Sequence, residues 1–150
     1  MAVDKNELIR VAVAENPKTP VSILEKLALD IDEYVRRGVA YNPNTPVDTL
    51  IKLVRDSNAH VRYFVAINAT TPVSILKKLA KDCNAYVRER VAANTNTPAS
   101  ILEKLAKDSD VDVRQEVAKN PHTTIAVLQR LLIDKSQAVA EAAIKRIAEQ

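Results

Sequence analysis

The sequence has one glycine, one cysteine, no tryptophan and only 3% aromatic residues among its 150 positions. With Cys83 alone, neither an intramolecular disulfide nor a multi-cysteine zinc or iron–sulfur site can form. So little glycine excludes a Gly-rich phosphate loop, and no serine stands on a strand-to-helix elbow. His60 and His122 lie far apart and neither has metal-ligand spacing. No apolar run is long enough to cross a bilayer. Met1-Ala2-Val3-Asp4-Lys5 lacks the apolar core of a signal peptide, so an intracellular, cytoplasmic location is expected. These absences predict a protein that is not an enzyme and uses no metal or cofactor. What is present is 47% hydrophobic and 27% charged residues with a net charge of +3, as in soluble globular domains. Abundant Ala, Leu, Lys and Glu favour helices, and few β-branched or aromatic runs disfavour a sheet.

A search for internal repeats is decisive. Asn16, Asn42, Asn68, Asn94 and Asn120 are spaced by 26 residues, as are Leu24, Leu50, Leu76, Leu102 and Leu128. Aspartates recur at the same step from Asp4 through Asp30, Asp56, Asp82 and Asp108 to Asp134. Arginines recur at Arg10, Arg36, Arg62, Arg88 and Arg114. No insertion or deletion breaks any column.

Each unit contains two helix starts. Thr19-Pro20, Thr45-Pro46, Thr71-Pro72 and Thr97-Pro98 read as an N-cap followed by proline at the first helical position. In the helix that follows, Val73, Leu76, Leu79 and Ala80 form the expected buried face. The second start is a column of capping residues, Asn6, Asp32, Asn58, Asn84, Asp110 and Ser136. Core valines such as Val61 and Val65 follow, up to Asn68, whose type tolerates the left-handed conformation that often ends a helix. A short helix pair cannot bury its apolar face alone, so stacked pairs should share one core. The expected fold class is all-α, an α-solenoid of helix pairs forming a single repeat domain over 1–150. It divides into a partial unit 1–8, units 9–34, 35–60, 61–86, 87–112 and 113–138, and a capping helix 139–150. A complete small array is expected.

The string Val35-Arg36-Arg37-Gly38-Val39-Ala40-Tyr41-Asn42-Pro43-Asn44-Thr45-Pro46 resembles the leucine-rich repeat variant family, and the likeness covers nearly the whole chain. The resemblance implies a right-handed superhelix of paired short helices. The unit here is slightly longer than the familiar one, favouring an ordinary α-helix after Thr-Pro where family members can be 3₁₀-like. Some family chains carry a cysteine-rich iron–sulfur segment, which a chain with Cys83 alone does not share. The family implies no common enzymatic activity and no common ligand residues.

A residue required once per unit usually serves the unit. The Asn, Thr, Asp and Arg columns are therefore assigned to structure, with an Asp–Arg ladder between neighbouring units in which Arg36, Arg62, Arg88 and Arg114 each meet the aspartate six residues before. Two surfaces remain. Positions facing away from the core valines hold Tyr34, Arg37, Tyr41, His60, Tyr63, Ile67 and Tyr86, with Phe64 at their edge. These side chains either anchor a protein or peptide partner or pack between adjacent units. The other surface is a basic column of Lys26, Lys52, Lys78, Lys104 and Arg130, joined one turn later by Arg55, Lys81 and Lys107. It offers an alternative, phosphate-backbone binding to nucleic acid, against the ordinary reading of a solvated helix face. A third reading is a structural spacer or self-association module. No membrane partner is expected.

Overall fold

The computed structural model describes residues 6–149. Residues 1–5 of the expected partial unit, Asp4 of the aspartate column included, lie outside the described residues. Eleven α-helices and no strand occur among the described residues. The first helices of the units are α1 (Glu7–Glu15), α3 (Glu33–Tyr41), α5 (Ala59–Ile67), α7 (Ala85–Ala93) and α9 (Val111–Lys119). They alternate with α2 (Val21–Leu27), α4 (Val47–Leu53), α6 (Val73–Leu79), α8 (Ala99–Leu105) and α10 (Ile125–Leu131), and α11 (Gln137–Ala148) follows. The all-α helical-repeat solenoid class and its 26-residue register are those expected. The helices after Thr-Pro are ordinary α-helices of seven residues.

The chain divides into two compact units, residues 1–75 and 76–150. In the first, α3 packs between α1 and α5. In the second, α9 packs between α7 and α11, and α11 also covers α10. Close stacking of first helices is set by small side chains. Ala14, Ala40 and Ala66 are fully buried in the first unit, and Ala92 and Ala118 in the second. Gly38 extends this logic: a β-carbon there would come within 3.0 Å of the Ala14 Cβ and the Glu15 Cγ. Two core valines per first helix meet two leucines per second helix. Val35, Val39, Leu24 and Leu50 are fully buried in the first unit, as are Val113, Val117, Leu102 and Leu128 in the second. Burying one such side chain stabilises by about 1.5–3 kcal/mol, and the repeat does so in every layer.

Several local expectations are corrected. Val73 is 48% exposed, whereas Ile75 is 1% exposed and takes the core position. Second helices such as α4 and α8 contact the first helices on both sides, so more than one face of a two-turn helix is buried. The asparagines that close the first helices are extended, with φ between −63° and −70°, and no described residue has positive φ. Proline, with φ near −60° and an extended ψ, is itself the capping residue of α2 and α4, and the preceding threonine hydroxyl does not cap them. That hydroxyl instead donates backward: Thr45 Oγ1 lies 2.6 Å from the Val39 carbonyl and Thr71 Oγ1 2.6 Å from that of Val65. Ser136 starts α11 through its backbone only, while Asn6, Asp32, Asn58, Asn84 and Asp110 cap with their side chains as expected. In α1, Ile9 and Val13 stay 46% and 36% exposed where their equivalents in α3 are buried.

Candidate functional site

The repeated polar columns are spent on the fold, and how they are spent decides what remains for a partner. Asn42 Nδ2 donates to the carbonyls of Ala14 and Asn16, both at 2.8 Å, and its Oδ1 accepts from the Asn44 N–H. Asn68 repeats this one layer on, towards Ala40 and Asn42, and Asn120 does so in the second unit, towards Ala92 and Asn94. Each amide thus ties its turn to the repeat before it.

Four arginines do pair with aspartates, but the carboxylate lies twenty residues ahead in the same repeat, and not six residues before in the neighbouring one as expected. The Arg36 Nε and Nη2 donate to the Asp56 carboxylate at 2.6 and 3.1 Å, while Nη1 donates to the Asp30 carbonyl at 2.8 Å. Arg10 grips Asp30 likewise, and in the second unit Arg88 grips Asp108 and Arg114 grips Asp134. Each of these four arginines therefore holds the carboxylate twenty residues ahead, and for Arg36, Arg88 and Arg114 the sixth-preceding aspartate supplies a backbone carbonyl. Burial disfavours charge on Asp30, Asp56 and Asp108. The guanidinium bond and the N–H two residues on outweigh it, holding these carboxyls below their ordinary value. At Asp134 the Arg114 hydrogen bond is the larger influence and acts in the same direction.

With those columns committed, the away-facing aromatics form a cluster in the first unit. The Arg37 guanidinium lies 5.0 Å from the Tyr34 ring centroid and 5.4 Å from that of Phe64. Tyr41 meets Phe64 edge-to-face at 5.7 Å, and Tyr63 meets Phe64 at 5.2 Å. Packing between adjacent repeats, one of the two sequence readings of these tyrosines, holds for Tyr41. Tyr41 packs across from α3 to α5 and is still 55% exposed, and Tyr34 is 49% exposed. Glu15 of α1 approaches Arg37 at 4.0 Å. Phe64, which spacing puts at the edge, is the hub of the cluster. His60, exposed, and Ile67, half-buried, share α5 with it. Tyr86, 68% exposed, is on α7 in the other unit.

The basic column is exposed at every position. Lys26, Lys52 and Arg55 lie in the first unit, and Lys78, Lys81, Lys104, Lys107 and Arg130 in the second. Arg130 makes a rim contact with Glu103 at 3.3 Å, both side chains about half exposed. The structure adds a residue that the column does not contain: Lys135 lines an open hollow with Lys107 and Arg130. Its register is held by Ser109 and Cys83 in earlier repeats, so no periodic signal marks it. Among the described residues no His, Cys, Asp and Glu cluster is arranged to hold a metal ion, and no helix is long and apolar enough to cross a membrane.

No family model matches the sequence, nor does any curated protein. Among solved structures the chain is similar to a leucine-rich repeat variant described as having a novel repetitive structural motif, at 28% identity and a TM-score of 0.75. The match covers 98% of this chain and 61% of that one, so this chain spans about three-fifths of the neighbour's length. Two engineered proteins, each 20% identical, share the fold at TM-scores of 0.53 and 0.51. They are matched over 93% and 97% of this chain and 89% and 55% of their own. The V-R, V-A-x-N and T-P columns and this likeness in three dimensions agree: the chain has the helical-repeat fold of a leucine-rich repeat variant.

Proposed function

We propose that this chain is a non-catalytic repeat scaffold that holds a protein or peptide partner against the exposed face of α3 and α5. The observation that carries this reading is the interlocked cluster of Tyr34, Arg37, Tyr41, Tyr63 and Phe64. Its rings and guanidinium fix one another while two tyrosines remain about half exposed. Tyrosine and arginine bury much area while keeping a polar tip, which suits them to the centre of an interface. Because their rotamers are already restrained, less side-chain entropy is lost on binding. His60 and Ile67 border the patch, and Tyr86 extends the same register in the second unit.

The test is a random peptide library selected against the intact chain, followed by fluorescence polarisation with the selected peptides. The double substitution Tyr34→Ala, Tyr41→Ala should weaken them about thirtyfold, the loss of roughly 2 kcal/mol typical of interface anchors. Asp112→Ala with Gln115→Ala, on the aromatic-free face of α9, should leave them unchanged. Peptides that bind the tyrosine variant as well as they bind the wild type overturn the reading.

A further inference from the structure

The ladder has an electrostatic consequence on the opposite layer of the repeat. The aspartates that follow α8 and α10 are consumed internally: Asp108 by Arg88, Asp134 by Arg114, and Asp110 by the N–H groups that start α9. The Asp108 and Asp134 side chains are each 9% exposed. What stands free on α8, α10 and the turns after them is basic. Lys104, Lys107, Arg130 and Lys135 are all exposed, and Glu103 is the one exposed carboxylate on those two helices. The first unit differs. There Glu25 and Asp48 stand exposed on α2 and α4 among Lys26, Lys52 and Arg55.

From this arrangement we infer that the α8–α10 face of the second unit is a surface for the phosphate backbone of nucleic acid, centred on Lys104, Lys107, Arg130 and Lys135. Lys107 lies just past α8, its N–H donating to the Lys104 carbonyl at 3.1 Å, so the two lysines sit one turn apart. Lys107, Arg130 and Lys135 surround one open hollow of about 500 Å³ formed where successive repeats meet. The Arg130–Glu103 pair does not block it, because a half-exposed ion pair is weak and yields to a phosphate. The donors are long, flexible cations with no aromatic side chain on α8 or α10 to stack on a base. The recognition is therefore of charge along a chain and not of sequence. A concave hollow admits a narrow polyanion, whereas a flat bilayer meets only its rim. This surface is separate from the aromatic patch, so the two readings fail independently.

Fluorescence anisotropy with labelled duplex DNA, duplex RNA and single-stranded RNA tests the inference on the intact chain. At 50 mM salt the wild type binds, and by 200 mM affinity falls on the order of a hundredfold, as about four phosphate contacts require. The variant with Lys104, Lys107, Arg130 and Lys135 each replaced by Gln loses at least tenfold at low salt and flattens the salt slope by about 3. All four side chains are exposed, and an unchanged far-ultraviolet dichroism spectrum confirms that the variant folds. Replacing Lys26, Lys52 and Arg55 by Gln, or Tyr34 and Tyr41 by Ala, leaves binding within about twofold of wild type. No binding of any nucleic acid at 50 mM salt overturns the inference. So does equal loss in the first-unit variant, or capture by phosphatidylserine vesicles in place of nucleic acid.

Discussion

Replacing Asn42 by Asp changes almost nothing in size and removes the two hydrogen-bond donors that tie one repeat to the next. Asn42 is fully buried, with Nδ2 2.8 Å from the carbonyl oxygens of Ala14 and Asn16. An aspartate keeps the Oδ1 bond to the Asn44 N–H but turns a bare oxygen towards both carbonyls. The Ala14 carbonyl, left without its donor, costs about 1–3 kcal/mol, whereas the Asn16 carbonyl keeps the Thr19 N–H at 2.9 Å; a buried unpaired charge costs about 3–5 kcal/mol. These penalties overlap, and a net loss of about 4 kcal/mol at neutral pH is expected, a large share of a typical total of about 5–15 kcal/mol. Asn16 supplies the internal control. It occupies the same column and makes the same bond to the Lys18 N–H at 2.9 Å, but it is exposed. Asn16→Asp should cost under about 1 kcal/mol. Urea unfolding followed at 222 nm measures both, with a constant m-value as the check that stacked repeats unfold together. A pH arm sharpens the test. Burial raises the new carboxyl's pKa, so between about pH 4 and that raised value the native state holds a proton that the unfolded state has released. Stability relative to wild type therefore falls as pH rises, by about 1.4 kcal/mol per unit. Equal losses at the two positions, or a deficit flat between pH 4 and 7, would refute the role assigned to the asparagine column.

The ladder makes the opposite pH prediction for the wild type. Asp30, Asp56, Asp108 and Asp134 are held below their ordinary values, so their contribution is present above about pH 4 and lost as pH falls through the native values. Asp56→Asn should lower stability by about 1–3 kcal/mol at pH 7, and the gap to wild type should close between about pH 5 and 2 in acid titrations of the unfolding midpoint. A gap that widens on acidification contradicts the pairing. Gly38→Ala sets a helix gain of about 1 kcal/mol against overpacking of about 1–3 kcal/mol. The contacts at 3.0 Å include the buried Ala14, so the melting temperature should drop by about 3 °C, and a rise would mean that α1 shifts freely.

Much of the architecture was legible because a repeat states each local rule several times. The capping column from Asn6 to Asp110, the paired valines and the leucine columns all appear in the structure in the roles their spacing assigns. An Asp–Arg ladder was legible, but its carboxylate partner was not: the aspartate six residues before, in the neighbouring repeat, was the one expected, and the one twenty after, in the same repeat, is equally in register. The structure uses the carbonyl of the first and the carboxylate of the second. Asparagine at a helix end pointed to a left-handed turn, but the true reason for it is a buried amide reaching the previous repeat. Helical spacing collected the aromatic residues onto one face but placed Phe64 at its margin, when its ring joins Tyr41 and Tyr63 and lies against Arg37.

Sequence alone thus determined the fold class, the register and the start of nearly every helix. Those depend on residues within a few positions of each other and on a period that never slips. Tertiary structure decided what depends on a neighbouring repeat. It seated Ile75 in the core and exposed Val73. It enclosed Asn42 while leaving its equivalent Asn16 in solvent. On the second unit it paired Asp108 with Arg88 and Asp134 with Arg114, each within one repeat, and left the lysines beside them uncompensated. Composition counts both signs of charge alike, and only packing shows which of them have already been neutralised.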